Sequence, residues 1–237
     1  MDKTLSNSRI KTIRSLSSKK FRQSLGLFVV EGEKMVEEAL RSDFEVVEIW
    51  RRDEIGPDAM ARISQLSTPS PVLAVVRARP LSQMPPCKGL CLALDGIRDP
   101  GNFGTIIRIA DWFGADVIYA SEDSVELYNP KTVQASMGAI FRKKVVYCDI
   151  PALCKSFSKA GLKVYGTFLD GQDIYSQALD KEGLVVMGNE SEGISEAVAA
   201  QVDSRLLIPS FTGGAPTAES LNVAVATAVT LSEFRRR

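Results

Sequence analysis

Apolar positions along the chain follow two rhythms, and the switches between them mark the elements. Residues 1–26 are largely polar, with a thin stripe at Ile10, Ile13 and Leu16 at the spacing of one helical face. They read as a basic arm, helical or partly ordered. Leu27–Val30 is a short apolar strand, and Gly32 turns it into a helix over Glu33–Leu40. Phe44–Trp50 alternates as a half-buried strand does. Pro57–Leu66 is expected to be a helix with proline at its first position, where the missing N–H costs nothing. Val72–Ala78 is another strand. The stretch Arg79–Lys88 contains three prolines and no apolar periodicity, as a linker does.

From Gly89 the rhythm restarts. Leu90–Leu94 is a continuous apolar run and reads as a strand, and Val117–Ala120, Lys144–Tyr147, Leu162–Phe168, Leu184–Met187 and Leu206–Ile208 read as further strands. Unbroken apolar runs suit a parallel sheet covered on both faces. Helices are expected over Phe103–Phe113, Pro130–Ile140, Pro151–Ala160 and Leu221–Phe234. The alternation predicts an α/β fold with a mostly parallel, doubly wound sheet, preceded by a small α/β unit. Ligands of such sheets sit beyond the carboxyl ends of the strands, so the polar stretches beginning there are the candidates for chemistry.

Composition narrows that chemistry. The 237 residues carry 29 basic and 29 acidic side chains, so no global field favours a polyanion. Locally the balance differs. Residues 1–22 hold Lys3, Arg9, Lys11, Arg14, Lys19, Lys20 and Arg22 against Asp2 alone, and the chain ends on three arginines. Such ends are either solvated charge or phosphate-binding arms. Histidine is absent, which removes imidazole metal ligands, a Ser-His-Asp triad and an imidazole base. Cys87, Cys91, Cys148 and Cys154 lack C-x-x-C spacing, so no metal site is expected and a reducing, cytoplasmic setting is. A polar N-terminus without a signal peptide and no bilayer-spanning apolar run agree. There is no G-x-G-x-x-G and no phosphate-loop motif.

Three stretches remain. In Asp95–Arg108, Asp99-Pro100-Gly101-Asn102 is a turn and cap signature, and Asn102 at a helix start has capping as its ordinary role. Arg108, among Ile106, Ile107 and Ile109, is either a surface cation with a buried stem or a fixed charge facing a phosphate. In Gly188–Ser195, Glu190 occupies a glycine-bounded turn, ordinary or substrate-orienting. In the third, Ser220 and Asn222 precede the last helix, where polar residues usually cap.

Order and spacing make the three together specific. Asn102-x-Gly104-x-x-x-Arg108, Gly188-x-Glu190-x-x-Gly193, and Ile208-Pro209 followed by Ser220-Leu221-Asn222-Val223 resemble the three motifs of the SpoU (TrmH-like) branch of the SPOUT RNA methyltransferases. The resemblance covers residues 89–237. Residues 1–80, through Phe28–Leu40 above all, are similar to the small RNA-binding domain with a ribosomal-protein-like fold that precedes the catalytic domain in many members. Residues 81–88 would be the linker. The resemblance implies a C-terminal trefoil knot, an exception to unknotted topology. It implies bound S-adenosylmethionine, a homodimer with the site near the subunit interface, and methylation of a ribose 2′-hydroxyl in rRNA or tRNA, rRNA by family habit. It assigns catalytic positions to Asn102, Arg108, Glu190, Ser220 and Asn222, and cofactor positions to Gly188, Ile208 and Leu221, with Thr167, Phe168 and Leu169 as further candidates. Where the family usually has a shorter loop, often with Met at the position of Ser210, this chain carries Ser210–Glu219. Two other readings are an RNA-binding protein of the same fold without catalysis, and an unrelated nucleotide-binding α/β enzyme.

Overall fold

Among the described residues the N-terminal arm is helical. In the computed structural model, which describes residues 5–79, 84–213 and 218–236, α1 (Asn7–Ser15) is capped by the Ser6 hydroxyl, and α2 (Lys19–Leu25) ends on Gly26 in the left-handed region. Ile10, Ile13 and Leu16 are all buried, so the apolar stripe is a packed helix face. Arg22, expected in a solvated arm, is buried as well.

Three strands follow, β1 (Leu27–Glu31), β2 (Val46–Arg51) and β3 (Val72–Arg77). They form an antiparallel sheet in the order β1-β3-β2, with α3 (Glu33–Arg41), α4 (Arg52–Ile55) and α5 (Pro57–Ile63) on the connections. β1 is buried along its whole length. One face packs on α1 and α5 through Ile13, Trp50, Met60 and Leu73. The other joins the core of the second unit through Phe28, Val30, Met35, Ala74 and Val76. Residues 81–83 of the expected linker lie outside the described residues.

The second unit is a six-stranded sheet in the order β6-β5-β4-β8-β7-β9, with every pairing parallel. Its strands are β4 (Leu90–Asp95), β5 (Ile118–Ala120), β6 (Val145–Tyr147), β7 (Val164–Asp173), β8 (Gly183–Gly188) and β9 (Ser204–Leu207). The helices are α6 (Pro100–Trp112), α7 (Pro130–Ser136), α8 (Ile150–Lys159), α9 (Glu196–Ala199) and α10 (Val223–Arg236). β8 is inserted between β4 and β7, and β9 returns to the far side of β7, an order compatible with a C-terminal trefoil knot. The central strands are buried on both faces, as continuous apolar runs require.

Two elements differ from expectation. The helix expected over Pro130–Ile140 stops at Ser136. Met137 and Gly138 both have positive φ, and a short 3₁₀ turn, Ala139–Phe141, follows. β7 is longer than its apolar run. It pairs with β9 at Thr167 and again at Gln172, and residues 168–171 bulge out between. That bulge presents Leu169 at the carboxyl edge of the sheet.

Candidate active site

The site is built where β4, β7, β8 and β9 end. After β4 the chain turns through Gly96 into α6. The cap of α6 is Asp99, whose carboxylate accepts from the Asn102 backbone N–H at 2.7 Å, with Pro100 at the first helical position. Asn102 is therefore inside the first turn and not the cap expected of it. Its side chain is released for other partners.

Those partners come from the other two stretches. Asn102 Nδ2 donates to Glu190 Oε1 at 2.7 Å, and Asn102 Oδ1 accepts from Asn222 Nδ2 at 2.9 Å. Asn222 Oδ1 in turn accepts from the backbone N–H of Ala224 and Val225, capping α10. Residues 88 and 120 positions apart are thus joined by one amide. A carboxylate accepts only, so it fixes which end of the Asn102 amide faces it, and that fixes Asn222.

The Glu190 loop is clamped at both ends by residues that the motif spacing did not single out. Asn189 Nδ2 donates to Gly96 O at 2.6 Å, while its Oδ1 accepts from the N–H groups of Ser191 and Glu192. Asp95 Oδ2 accepts from Ser195 N at 2.8 Å. Gly188 lies under this loop, and a Cβ there would collide with the backbone of Gly193 and Ile194. Arg98 reaches Asp123 at 3.5 Å and Glu192 at 3.9 Å, tying the loop to the one after β5. The signal available for Asp95 was a carboxylate closing an apolar strand just before a glycine. Asn189 stood beside the residue that drew attention.

Arg108 and Ser220 are not part of this hydrogen-bonded set. Arg108 lies on the exposed face of α6, and its guanidinium has no ion pair or hydrogen bond among the described residues. Ser220 is exposed, its hydroxyl without a partner among the described residues. Residues 214–217 of the lengthened loop lie outside those residues.

The cofactor candidates border the same edge. Thr167 and Phe168 are half-buried; the Thr167 hydroxyl faces Met187 Sδ at 3.8 Å, and the Arg205 guanidinium stacks 3.5 Å from the Phe168 ring centroid. Ile208 packs against the main core. Leu169 is 72% exposed and Phe211 83%, and Leu221 is also exposed. The Phe211 ring lies 6.4 Å from that of Tyr175. Apolar side chains left open around a set of backbone turns are suited to an adenine ring and an aliphatic chain, which bury apolar surface while backbone groups satisfy polar edges.

Cysteine chemistry is disfavoured. All four thiols are free, and burial pushes Cys91 and Cys154 up to about 12 and Cys148 up to about 11, far from the thiolate state a nucleophile needs.

Both units of the chain match known families. Residues 89–232 match the SpoU rRNA Methylase family, and residues 7–75 match the MRM3-like substrate binding domain. The chain is 32% identical to the 23S rRNA (guanosine(2553)-2′-O)-methyltransferase RlmP of Bacillus subtilis, over 97% of this chain and 96% of that one. Among solved structures, a TrmH-family protein from Porphyromonas gingivalis superposes with a TM-score of 0.86 at 38% identity, covering 98% of both chains. An AdoMet-bound rRNA methyltransferase from Sinorhizobium meliloti superposes with a TM-score of 0.88 at 29% identity, covering 99% of this chain and 97% of the other.

Proposed function

The chain belongs to the SpoU rRNA methylase family, and from that premise we propose that it transfers a methyl group from S-adenosylmethionine to a ribose 2′-hydroxyl of structured RNA, ribosomal RNA in preference to transfer RNA. One observation carries the reading to this chain's own residues. Glu190, Asn102 and Asn222, from three separate loops, form a single hydrogen-bonded line at the carboxyl edge of the sheet. That all three motif side chains are present and brought together supports catalysis over RNA binding alone.

S-adenosylmethionine, when bound, supplies an electrophilic methyl group on a sulfonium. Gly188, Ile208, Leu221 and the bulge Thr167–Leu169 would hold it, with the exposed Leu169 and Phe211 side chains covering its apolar parts. The rest of the task is positioning, which by itself removes several kcal/mol of a barrier, on the order of 7–11 in well-oriented cases. Asn102, Glu190, Ser220 and Asn222 orient the ribose and the loop walls. Arg108 binds the phosphate next to the target and stabilises the charge that develops on the 2′-oxygen as its proton passes to solvent water. A guanidinium stays protonated, so it acts as a cation and not as a base.

The reading includes a homodimer. Trp112 is 85% exposed and lies one helical turn beyond Arg108, on the same open face of α6. A second copy covering that face would bury Trp112 and enclose Arg108. Residues 1–80 serve as the substrate-binding unit, 81–88 as the connection and 89–237 as the catalytic unit. A cytoplasmic setting goes with that substrate, and no helix among the described residues is long and apolar enough to cross a membrane.

The test is transfer of labelled methyl to rRNA from cells lacking the gene, with the 2′-O-methyl position mapped. Arg108→Ala should abolish transfer while S-adenosylhomocysteine still binds by calorimetry, and Arg108→Lys should restore only part of it, since lysine keeps charge but not the planar fork. RNA binding without any transfer would favour the non-catalytic reading.

A further inference from the structure

A cavity of about 600 Å³ opens between the two units, lined by α2, by Ala78 and Arg79 just after β3, by the loop from Glu122 to Tyr128 after β5 and by Tyr147. Its inner wall is fixed. Arg22 is held by Glu126 and by the carbonyls of Leu16 and Ser17. The Tyr128 hydroxyl accepts from Arg79 N, and the Tyr147 hydroxyl donates to Val125 O. What these leave facing the space is mostly apolar, Leu127 and the phenol rings included. The rim differs. The Lys19 ammonium, the Gln23 amide and the Glu122 carboxylate have no side-chain partner among the described residues, and all three are exposed.

The cavity is coupled to the active-site loops by a short chain of hydrogen bonds. Ser124, in its wall, accepts from Ile97 N, and Ser121 beside it accepts from Gly96 N. Gly96 O is the acceptor that Asn189 uses to hold the Glu190 loop. A ligand in the cavity therefore sits on the same loop cluster as the proposed chemistry.

We propose that this cavity receives an unpaired nucleotide of the RNA substrate, flanking the one to be methylated. The proposal rests on the RNA methyltransferase reading given above. A nucleobase needs an apolar floor and donors and acceptors at its edge, which the phenol rings, Gln23 and Glu122 supply. Its phosphate needs a cation, which Lys19 supplies. The Arg14 and Lys20 side chains, on α1 and α2, are exposed and without partners among the described residues, so these helices carry further unpaired positive charge for a phosphate backbone. The volume accommodates a nucleotide with room for water. Removing one base from the strand during recognition also distinguishes a loop or bulge from a duplex, because only an unstacked base can enter.

The experiment uses the full chain and a transcript spanning the mapped methylation position. Gln23→Trp fills the mouth from an exposed helical position. It should lower kcat/KM for RNA about tenfold, chiefly through KM, the value expected for one lost stacked base. S-adenosylhomocysteine affinity and the thermal midpoint should stay at wild-type values. Transcripts carrying a single abasic nucleotide then locate the occupant. One position near the target should cost the wild type about as much as the filling variant does, and cost Gln23→Trp nothing more, the non-additivity of two changes at one contact. Wild-type kcat/KM in Gln23→Trp, or full additivity at every abasic position, overturns the pocket while leaving the methyltransferase reading standing. A wild-type chain that neither binds nor methylates the transcript overturns both.

Discussion

Asn222 performs two tasks with the two ends of one amide, and this allows them to be separated. Its oxygen caps α10 and its nitrogen holds Asn102. Asn222→Ala loses both. It should cost about 1 kcal/mol of stability from the cap and lower methylation on the order of 100-fold, the scale of one lost positioning donor. Asn222→Asp keeps an acceptor for the cap but cannot donate to Asn102. Its thermal midpoint should remain near wild type while methylation falls as far as in the alanine variant. If Asn222→Asp stays active, the line from Asn222 to Glu190 is structural and the assignment is wrong. Gly188→Ala tests the loop from beneath. The added methyl meets the backbone of Gly193 and Ile194, so the Glu190 loop must shift, and both S-adenosylhomocysteine affinity and methylation should drop. The ordinary reading of Asn102 as a cap fails for a local reason. Asp99 sits ahead of Pro100, and proline at the first helical position makes the residue before it the cap.

Among the elements, strands and helices with continuous apolar periodicity were legible from the chain alone, and those shaped by backbone conformation were not. β4 and β8 emerge near their expected limits because burial on both faces leaves only apolar residues. The break after Ser136 has no such signal. Met137 and Gly138 turn the chain by adopting positive φ, and a Cβ at Gly138 would press on Glu38 of the other unit. The bulge in β7 is likewise a pairing event with β9, about 35 residues away along the chain as the Asp170–Arg205 ion pair across it records, and not a property of its own residues. α6 carries the prediction at this scale. Its buried face, Phe103, Ile106, Ile107 and Ala110, follows helical spacing, yet Trp112 stands open at 85% exposure. A single exposed apolar side chain is ordinary on a protein surface; what makes Trp112 the candidate contact of the proposed dimer is its place one turn from Arg108 on the same open face. Trp112→Glu should convert the proposed dimer to monomer in sedimentation velocity, with little change in the thermal midpoint of the isolated fold, and should lower methylation by uncovering Arg108. A monomeric wild type at micromolar concentration would remove this face from the mechanism.

At the level of the whole molecule, the two units share one core, and the contact that locks them was hidden by its sequence separation. Phe28 of β1 stacks on Tyr128 with centroids 4.4 Å apart, and Phe44 meets Phe141 edge-on at 5.2 Å. Arg142 bridges Glu38 of one unit and Asp111 of the other. Beside these, Arg22 is only 4% exposed and pairs with Glu126 in fork geometry, 104 residues further along. From the chain alone it was one cation in a basic arm, because nothing local distinguishes it from Lys20 or Arg14. The pair is a poor source of net stability but a costly one to break from one side, about 3–5 kcal/mol, since the remaining charge stays desolvated. Arg22→Met should therefore lower the urea midpoint strongly, leaving Glu126 and the carbonyls of Leu16 and Ser17 without their donor. Arg22→Met with Glu126→Leu should recover part of that loss. Function should not follow stability. The double variant keeps the apolar contact between the units and the Arg142 bridge but loses the directional Arg22–Glu126 pair, which also lines the cavity proposed for RNA, so S-adenosylhomocysteine affinity should stay intact while KM for RNA rises. Equal KM in the double variant and the wild type would mean that the Arg22–Glu126 pair is not needed to place the N-terminal unit over the proposed site.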